Sequence, residues 1–280
     1  MNISIVGANG AMGSFFARYF ASRGHNVLGF DIKRQKGSGQ GPVMVASLEL
    51  AVRQADAVML ATPMTSMGSV GRKALLHMKR GSYLIEISSV KGNLLPTLRR
   101  LSRARGVELL SIHPLFGPAQ NVSDRMKLLV VMTGKNSRSL AHTFFPNAEI
   151  YTTSPALHDR LMSLILSLTH ATNAAFVSVV KSNIKPQRLK RMATPFSYLQ
   201  LILGQAILSQ SPELMAEIQA ENRYSEEVLR SMISELTRIA DLVRDKNTEE
   251  LTRAFAIQRQ DSSSRNAIDS VYRAYRSIVS

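Results

Sequence analysis

Two hydrophobic periods alternate through the first half of the chain. Residues 2–7 (Asn-Ile-Ser-Ile-Val-Gly) form a short apolar run suited to a buried strand, and residues 15–23 follow with helical spacing. The same alternation predicts strands at 27–30, 56–61 and 83–87, with helices at 47–55 and 64–79 between them. A helix through Arg103 leads to a strand at 107–112. Residues 127–132 and 148–152 read as two more strands flanking a short helix at 139–145. Strands alternating with helices predict an α/β Rossmann-type, doubly wound, mostly parallel sheet.

From Ser154 the period becomes 3.6 and stays there. Ser154-Pro155, Thr194-Pro195 and Ser211-Pro212-Glu213 each place a capping residue before a proline at the first helical position. Asn247-Thr-Glu-Glu250 resembles a capping box. The predicted helices are 155–181, 187 or 195–210, 212–244 and 248–278. The expected organisation is a dinucleotide-binding domain over 1–153 and an all-α helical substrate and dimerisation domain over 154–280. In the first long helix Leu157, Leu161, Leu164, Ile165 and Leu168 read as core. Ser163, Ser167 and His170 form a polar stripe that faces either water or a cleft. Long apolar helices with short connections suggest a homodimer made through this half.

Composition narrows this picture. No apolar run reaches the roughly 18 residues that span a bilayer, so no membrane partner is expected. Met1 leads straight into a strand, leaving no room for a signal peptide, and a cytoplasmic protein is the default. With no cysteine, disulfides, thiolate zinc sites and a cysteine nucleophile are excluded, and no metal site is expected. The net charge of +15 raises nucleic acid as a partner. However, the basic residues are scattered (Arg99 to Arg105, Lys185 to Arg191, Arg273 and Arg276) and no aromatics interleave with them. The expectation is a basic surface that attracts anionic metabolites, with no nucleic-acid partner.

The candidate chemistry lies at strand ends. Gly7, Gly10, Ala11, Met12 and Gly13 form a glycine-rich turn between a strand and a helix, the context of a dinucleotide fingerprint. The G-x-G-x-x-G register falls on positions 8, 10 and 13, with Ala8 at the first glycine. Asp31 ends the second strand 18 residues beyond Gly13, where an acid bonds the adenosine ribose. It would repel a 2′-phosphate and so favours NAD. Lys33, Arg34 and Lys36 could attract one, which keeps NADP possible. Thr62-Pro63 and Ser88-Ser89 end two further strands. His113 follows another, in a loop expected to leave the strand because Pro114 and Pro118 donate no ladder bond. An imidazole held there suits proton transfer near neutral pH. Ligands of such sheets bind outside the carboxyl ends of strands, where all five positions lie.

These motifs resemble a known family. Residues 7–13, Ser88-Ser-Val-Lys-Gly92, His113-Pro-Leu-Phe-Gly-Pro118, and His158-Asp159 with His170 twelve residues on are, in this order, similar to the prephenate dehydrogenases of tyrosine biosynthesis. The resemblance covers nearly the whole chain. It implies an NAD(P) domain, a helical dimerisation domain and an active site between them. There prephenate, or alternatively arogenate, would lose hydride from C4 and carbon dioxide. By resemblance His113 is the catalytic histidine that accepts a hydrogen bond from the C4 hydroxyl, Ser89 helps orient both, and His170 lines the substrate pocket. The family's arginine that clamps a substrate carboxylate is missing. Its place, counted back from Ser211-Pro212, holds Ala206 with Gln205 beside it, and neither replaces a guanidinium fork. Lys91, Arg160 and Arg223 are the candidate cations.

Two other readings are weighed. A 3-hydroxyacid dehydrogenase would carry a catalytic lysine early in the helical half, and residues 155–180 hold none. A non-catalytic nucleotide-binding protein is allowed by the missing arginine but disfavoured by the presence of both Ser89 and His113.

Overall fold

The computed structural model describes residues 1–33, 42–92, 94–258 and 266–279. Arg34, Lys36 and the loop expected at 37–42, Pro42 excepted, lie outside them. The chain divides into two compact units, Met1–Met162 and Ser163–Ser280. The first eight residues of the helix predicted over 155–181 therefore belong to the unit that holds the sheet.

In the first unit the elements run β1 (Asn2–Val6), α1 (Ala11–Ala21), β2 (Asn26–Phe30), β3 (Val43–Met44), α2 (Leu48–Val52), β4 (Ala57–Leu60), α3 (Met64–His77), β5 (Tyr83–Glu86), α4 (Leu94–Arg105), β6 (Glu108–Pro114), β7 (Lys127–Val131), α5 (Ser137–Phe144), β8 (Glu149–Thr153) and α6 (Pro155–Met162). One sheet orders its strands β3-β2-β1-β4-β5-β6-β7-β8. Every pair is parallel except β6–β7. This is the doubly wound architecture, with order reversing beside β1. β3 was not anticipated, because two exposed residues carry no period-two signal.

Both faces of the sheet are buried. Ile3, Ile5, Met59, Ile85 and Leu110 pack on one side, against Phe15, Phe16, Tyr19 and Phe20 of α1. Val6, Val58, Leu60, Leu84 and Leu109 pack on the other. This explains why the central strands read as continuous apolar runs.

β6 runs on through His113 and Pro114, which pair with Leu129 and Leu128 of β7. The expectation that proline ends the strand fails for a local reason. Leu115 donates to Lys127 O across β7, so the ring nitrogen of Pro114 points to the β5 side. There pairing has already ended at Glu86 and Ser111, and no ladder bond is lost.

The second unit comprises a π-helical segment (Ser163–Leu168), α7 (Thr169–Asn183), α8 (Pro186–Met192), α9 (Pro195–Leu208), α10 (Pro212–Glu221), α11 (Ser225–Arg244), α12 (Thr248–Gln258) and α13 (Ala267–Val279). The predicted starts hold. Thr194 and Ser211 accept from the amides of Ser197 and Leu214, and Asn247 accepts from Glu250. The single helix predicted over 212–244 is broken. Asn222 turns extended and its side chain accepts from Tyr224 N, satisfying the backbone outside the helix.

The polar stripe is buried rather than wet: Ser163 and Ser167 are inaccessible, and Ser167 Oγ lies 2.7 Å from Ser225 Oγ. Conversely Leu157, Leu164 and Ile165, read as core, are about half exposed. The continuous helical stretch Pro155–Asn183 is also long and apolar enough to cross a bilayer, because an 18-residue window within it has mean hydropathy 1.5. That departs from the expectation that no segment could. A run interrupted by single polar residues still passes when hydropathy is averaged.

Candidate active site

The glycine turn joins β1 to α1. Gly7 adopts φ +89°, and a Cβ there would stand 2.5 Å from Ala61 O. A Cβ on Gly13 would stand 2.0 Å from Gly7 O. These two contacts, not the 8-10-13 register, make glycine obligatory, so Gly7 rather than Ala8 is the first functional glycine. Gly10 caps α1, and Ala11 and Met12 open it with their amides at the helix N-terminus. Asp31 follows β2 directly, and its carboxylate accepts from Asn9 N at 3.0 Å and Lys33 N at 2.9 Å. It is thus fastened to the glycine turn. At the end of β4 the Thr62 hydroxyl is buried and has no hydrogen-bond partner among the described residues. Pro63 caps α3. A dinucleotide fits this edge: glycines at 7, 10 and 13 leave the turn's backbone open to a pyrophosphate, the Asp31 carboxylate could accept from a ribose, and Thr62 has a hydroxyl without a partner among the described residues.

The loop after β5 is locked by charge. Glu86 Oε1 accepts from Lys91 Nζ at 2.7 Å and from the Ser111 hydroxyl. Glu86 Oε2 accepts from Ser88 N at 2.9 Å and Ser88 Oγ at 2.6 Å. Lys91 Nζ also donates to Ile112 O at 2.8 Å, a carbonyl that β5 stops too early to pair. Glu86 and Lys91 are both wholly inaccessible. Burial holds the Lys91 ammonium below its ordinary range, against the opposing pull of Glu86 and Asp159. Two expectations are corrected here. Lys91 is not a substrate clamp, because its ammonium is wholly buried and held by Glu86 and the Ile112 carbonyl. Ser88 does not offer its hydroxyl to a cofactor, because Glu86 and the Val90 carbonyl, 2.9 Å away, hold it. Ser89 beside it is half-buried and its hydroxyl makes no hydrogen bond among the described residues.

His113 projects at the end of β6, 6% exposed. Its Nδ1 lies 3.0 Å from His158 Nε2, and His158 Nδ1 lies 2.8 Å from Asp159 Oδ1. Asp159 also accepts from Lys91 N at 2.8 Å and Gly92 N at 2.7 Å. Burial, then His158 and Lys91, push the His113 imidazole well below its ordinary range. Burial likewise lowers His158, although Asp159 opposes it. Burial works to raise Asp159, but hydrogen bonds from His158, Lys91 N and Gly92 N prevail and keep it low. The structure therefore presents a neutral imidazole beside a fixed carboxylate. Glu86, His158 and Asp159 went unassigned in the sequence. His158-Asp159 was visible as a dipeptide, but nothing in one chain's residue order tells that it meets a strand 45 residues away.

Arg160 is exposed, and two residues on from His158 it lies on nearly the opposite face of α6. In the helical unit His170 is 8% exposed, its Nδ1 is buried without a partner among the described residues, and burial lowers its pKa. Arg223 is exposed, donates to Tyr224 OH at 2.6 Å and sits 4.7 Å over that ring. Ala206 and Gln205 are exposed on α9.

Three of the lowered histidines, His113, His158 and His170, carry a stability prediction. A histidine lowered below 6.5 by folding binds its proton more weakly folded than unfolded. The unfolded chain then binds more protons in the window below about pH 6.5. The melting temperature should be level above that value and fall as pH is lowered from about 6.5 toward 5, measured by circular dichroism.

A glycine turn at a helix N-terminus, an acid fastened to it and a buried histidine on one edge of a doubly wound sheet are the arrangement of the nucleotide-binding dehydrogenase class. The prephenate dehydrogenase nucleotide-binding domain matches residues 16–129, and the prephenate dehydrogenase dimerization domain matches 154–257. The chain belongs to the prephenate dehydrogenase family. It is 26% identical over 261 residues to a probable arogenate/prephenate dehydrogenase of Methanocaldococcus jannaschii, covering 89% of this chain and 58% of that protein. It is 26% identical to a 4-amino-4-deoxyprephenate dehydrogenase of Streptomyces pristinaespiralis, covering 90% and 88%. The chain thus spans little more than half of the first of these relatives. Among solved structures, prephenate dehydrogenase from A. aeolicus in complex with hydroxyphenyl propionate and NAD+ superposes with TM-score 0.74 at 21% identity, covering 92% of this chain and 96% of that one. Synechocystis arogenate dehydrogenase superposes with TM-score 0.71 at 19% identity, covering 94% and 99%. At such identities these two show the fold.

Proposed function

We propose that this chain carries out the oxidative decarboxylation of prephenate to 4-hydroxyphenylpyruvate, with NAD as hydride acceptor. The observation that supports this most is the neutral, pinned imidazole of His113 on the same sheet edge as the glycine turn and Asp31. Gly7, Gly10, Ala11, Met12 and Gly13 would take the pyrophosphate, Asp31 the adenosine ribose, and Thr62 and Pro63 would border the nicotinamide end. When bound, the nicotinamide accepts hydride from C4. As hydride departs, the carbinol carbon gathers positive charge, and His113 relieves it by taking the hydroxyl proton. Ser89 would orient that hydroxyl. Loss of carbon dioxide then makes the ring aromatic.

For the substrate carboxylate Arg223 is the better of the remaining cations, because Arg160 faces away from His158 on its helix. By resemblance to the family, His170 of the helical unit remains a candidate for substrate contact. Arogenate is the alternative substrate, since nothing in these residues separates a keto from an amino side chain. NADP stays second to NAD while Asp31 stands where a 2′-phosphate would bind. A cytoplasmic homodimer is part of the reading. The half-exposed Leu164, Ile165, Val179 and Ile233 of the helical unit are the kind of apolar surface that a second copy would cover.

The test is NADH formation followed by absorbance on adding prephenate or arogenate with NAD or NADP. With prephenate and NAD, kcat/KM should be level from about pH 8 down through 6.5 and fall only below, because burial keeps His113 neutral there. Folded, NAD-binding protein that reduces neither cofactor with either substrate would refute the reading.

A further inference from the structure

His158 and Asp159 have no part in the chemistry just described, yet they are the only hydrogen-bonding side chains joined to the base among the described residues. Asp159 receives two backbone amides, from Lys91 and Gly92, and its pKa is held low, so it is ionised at neutral pH. A carboxylate has no proton to donate. The 2.8 Å contact to His158 Nδ1 is therefore an N–H donated by His158. A neutral imidazole has one such proton, so His158 Nε2 is a bare acceptor. The 3.0 Å contact from that atom to His113 Nδ1 must be donated by His113. The one proton of His113 is then on Nδ1, and its Nε2 carries a lone pair and makes no hydrogen bond among the described residues.

We propose that His158 and Asp159 are positioning residues that fix the tautomer of His113, selecting Nε2 as the atom that takes the substrate proton. The inference rests on the base role assigned to His113 above. The alternative, a His158 cation donating from both nitrogens, would place the His113 proton on Nε2 and silence it as a base. Burial and the Lys91 ammonium both oppose that cation. The charged groups acting on the two rings are Lys91 and Glu86 from the β5–α4 segment and Asp159 from α6. When His113 takes up a proton at Nε2, its Nδ1–H bond to His158 need not break. The new positive charge is met by Asp159 through two hydrogen bonds already in place. Because Asp159 also holds Lys91 N and Gly92 N, the same carboxylate sets the loop that carries Ser89, and so registers the two groups that face one hydroxyl.

The tautomer can be read directly by two-bond proton–nitrogen NMR on histidine-labelled protein, without substrate. Above about pH 7 the native chain should show His113 and His158 both protonated on Nδ1. Asp159→Asn presents an amide that can donate to His158 Nδ1. It should shift His113 toward the Nε2–H form and lower the plateau of kcat by about 10²- to 10⁴-fold, without recovery at high pH and with NAD affinity kept. His158→Gln sets a carbonyl oxygen where Nε2 stood and should retain most of the turnover, whereas His158→Leu should not. A native His113 protonated on Nε2 overturns the proposal. So do equal losses in the glutamine and leucine variants, or an unchanged tautomer in Asp159→Asn. If the tautomers are as stated but the native chain turns over neither substrate, the relay stands and the proposed reaction falls.

Discussion

His113→Asn is expected to reduce kcat with saturating NAD and prephenate by about 10²- to 10⁴-fold, the range a positioned general base contributes. The affinity for NAD should be unchanged, since the glycine turn and Asp31 lie on other loops. Asparagine fits the space and can still accept a weak hydrogen bond, but it cannot take a proton near neutral pH. The loss should therefore appear in kcat and in kcat/KM alike, as for an interaction made in the transition state. It should also abolish the low-pH limb, because the titrating group is gone. Near-normal turnover in this variant would remove His113 from the chemistry.

Lys91→Met should be the most destabilising single change at the site. It leaves the Glu86 carboxylate buried with only Ser88 and Ser111 as partners among the described residues. Removing one member of a buried ion pair costs about 3–5 kcal/mol, because the desolvated charge is left uncompensated. The Ile112 carbonyl also loses its donor. Urea denaturation should show the midpoint falling accordingly. Adding Glu86→Gln should recover a large part of the loss, since the amide oxygen keeps an acceptor while the orphaned charge disappears. If Lys91→Met is as stable as the parent, the buried pair does not have the structural role given to it here. The contrast with His113→Asn is diagnostic: one change should act on turnover with little effect on stability, the other mainly on stability.

Much of this was legible in residue order. Short apolar runs and period-3.6 patterns carried the sheet and its helices, because both faces of the sheet are buried and α1 shows an aromatic face to one of them. Helix starts at Pro155, Pro195 and Pro212 could be read because proline and its capping residue act within one turn. Gly7, Asp31, Thr62, Ser89 and His113 could be grouped because a parallel sheet brings successive strand ends to one edge.

What could not be read depends on contacts distant in sequence. Lys91 and Ser88 are ordinary polar residues in the chain. Only the early end of β5 beside a longer β6 creates the unpaired carbonyl and buried carboxylate that occupy them. The polar stripe on the first long helix was undecided because a helical period shows that two faces differ, not which of them a neighbour covers. By itself the sequence determined the fold class, the nucleotide edge and the histidine at its end, since those rest on local periodicity and turn chemistry. Only the tertiary structure decided which nitrogen of that histidine is free. That choice is made by a carboxylate whose ionisation depends on burial and on two backbone amides contributed from another loop.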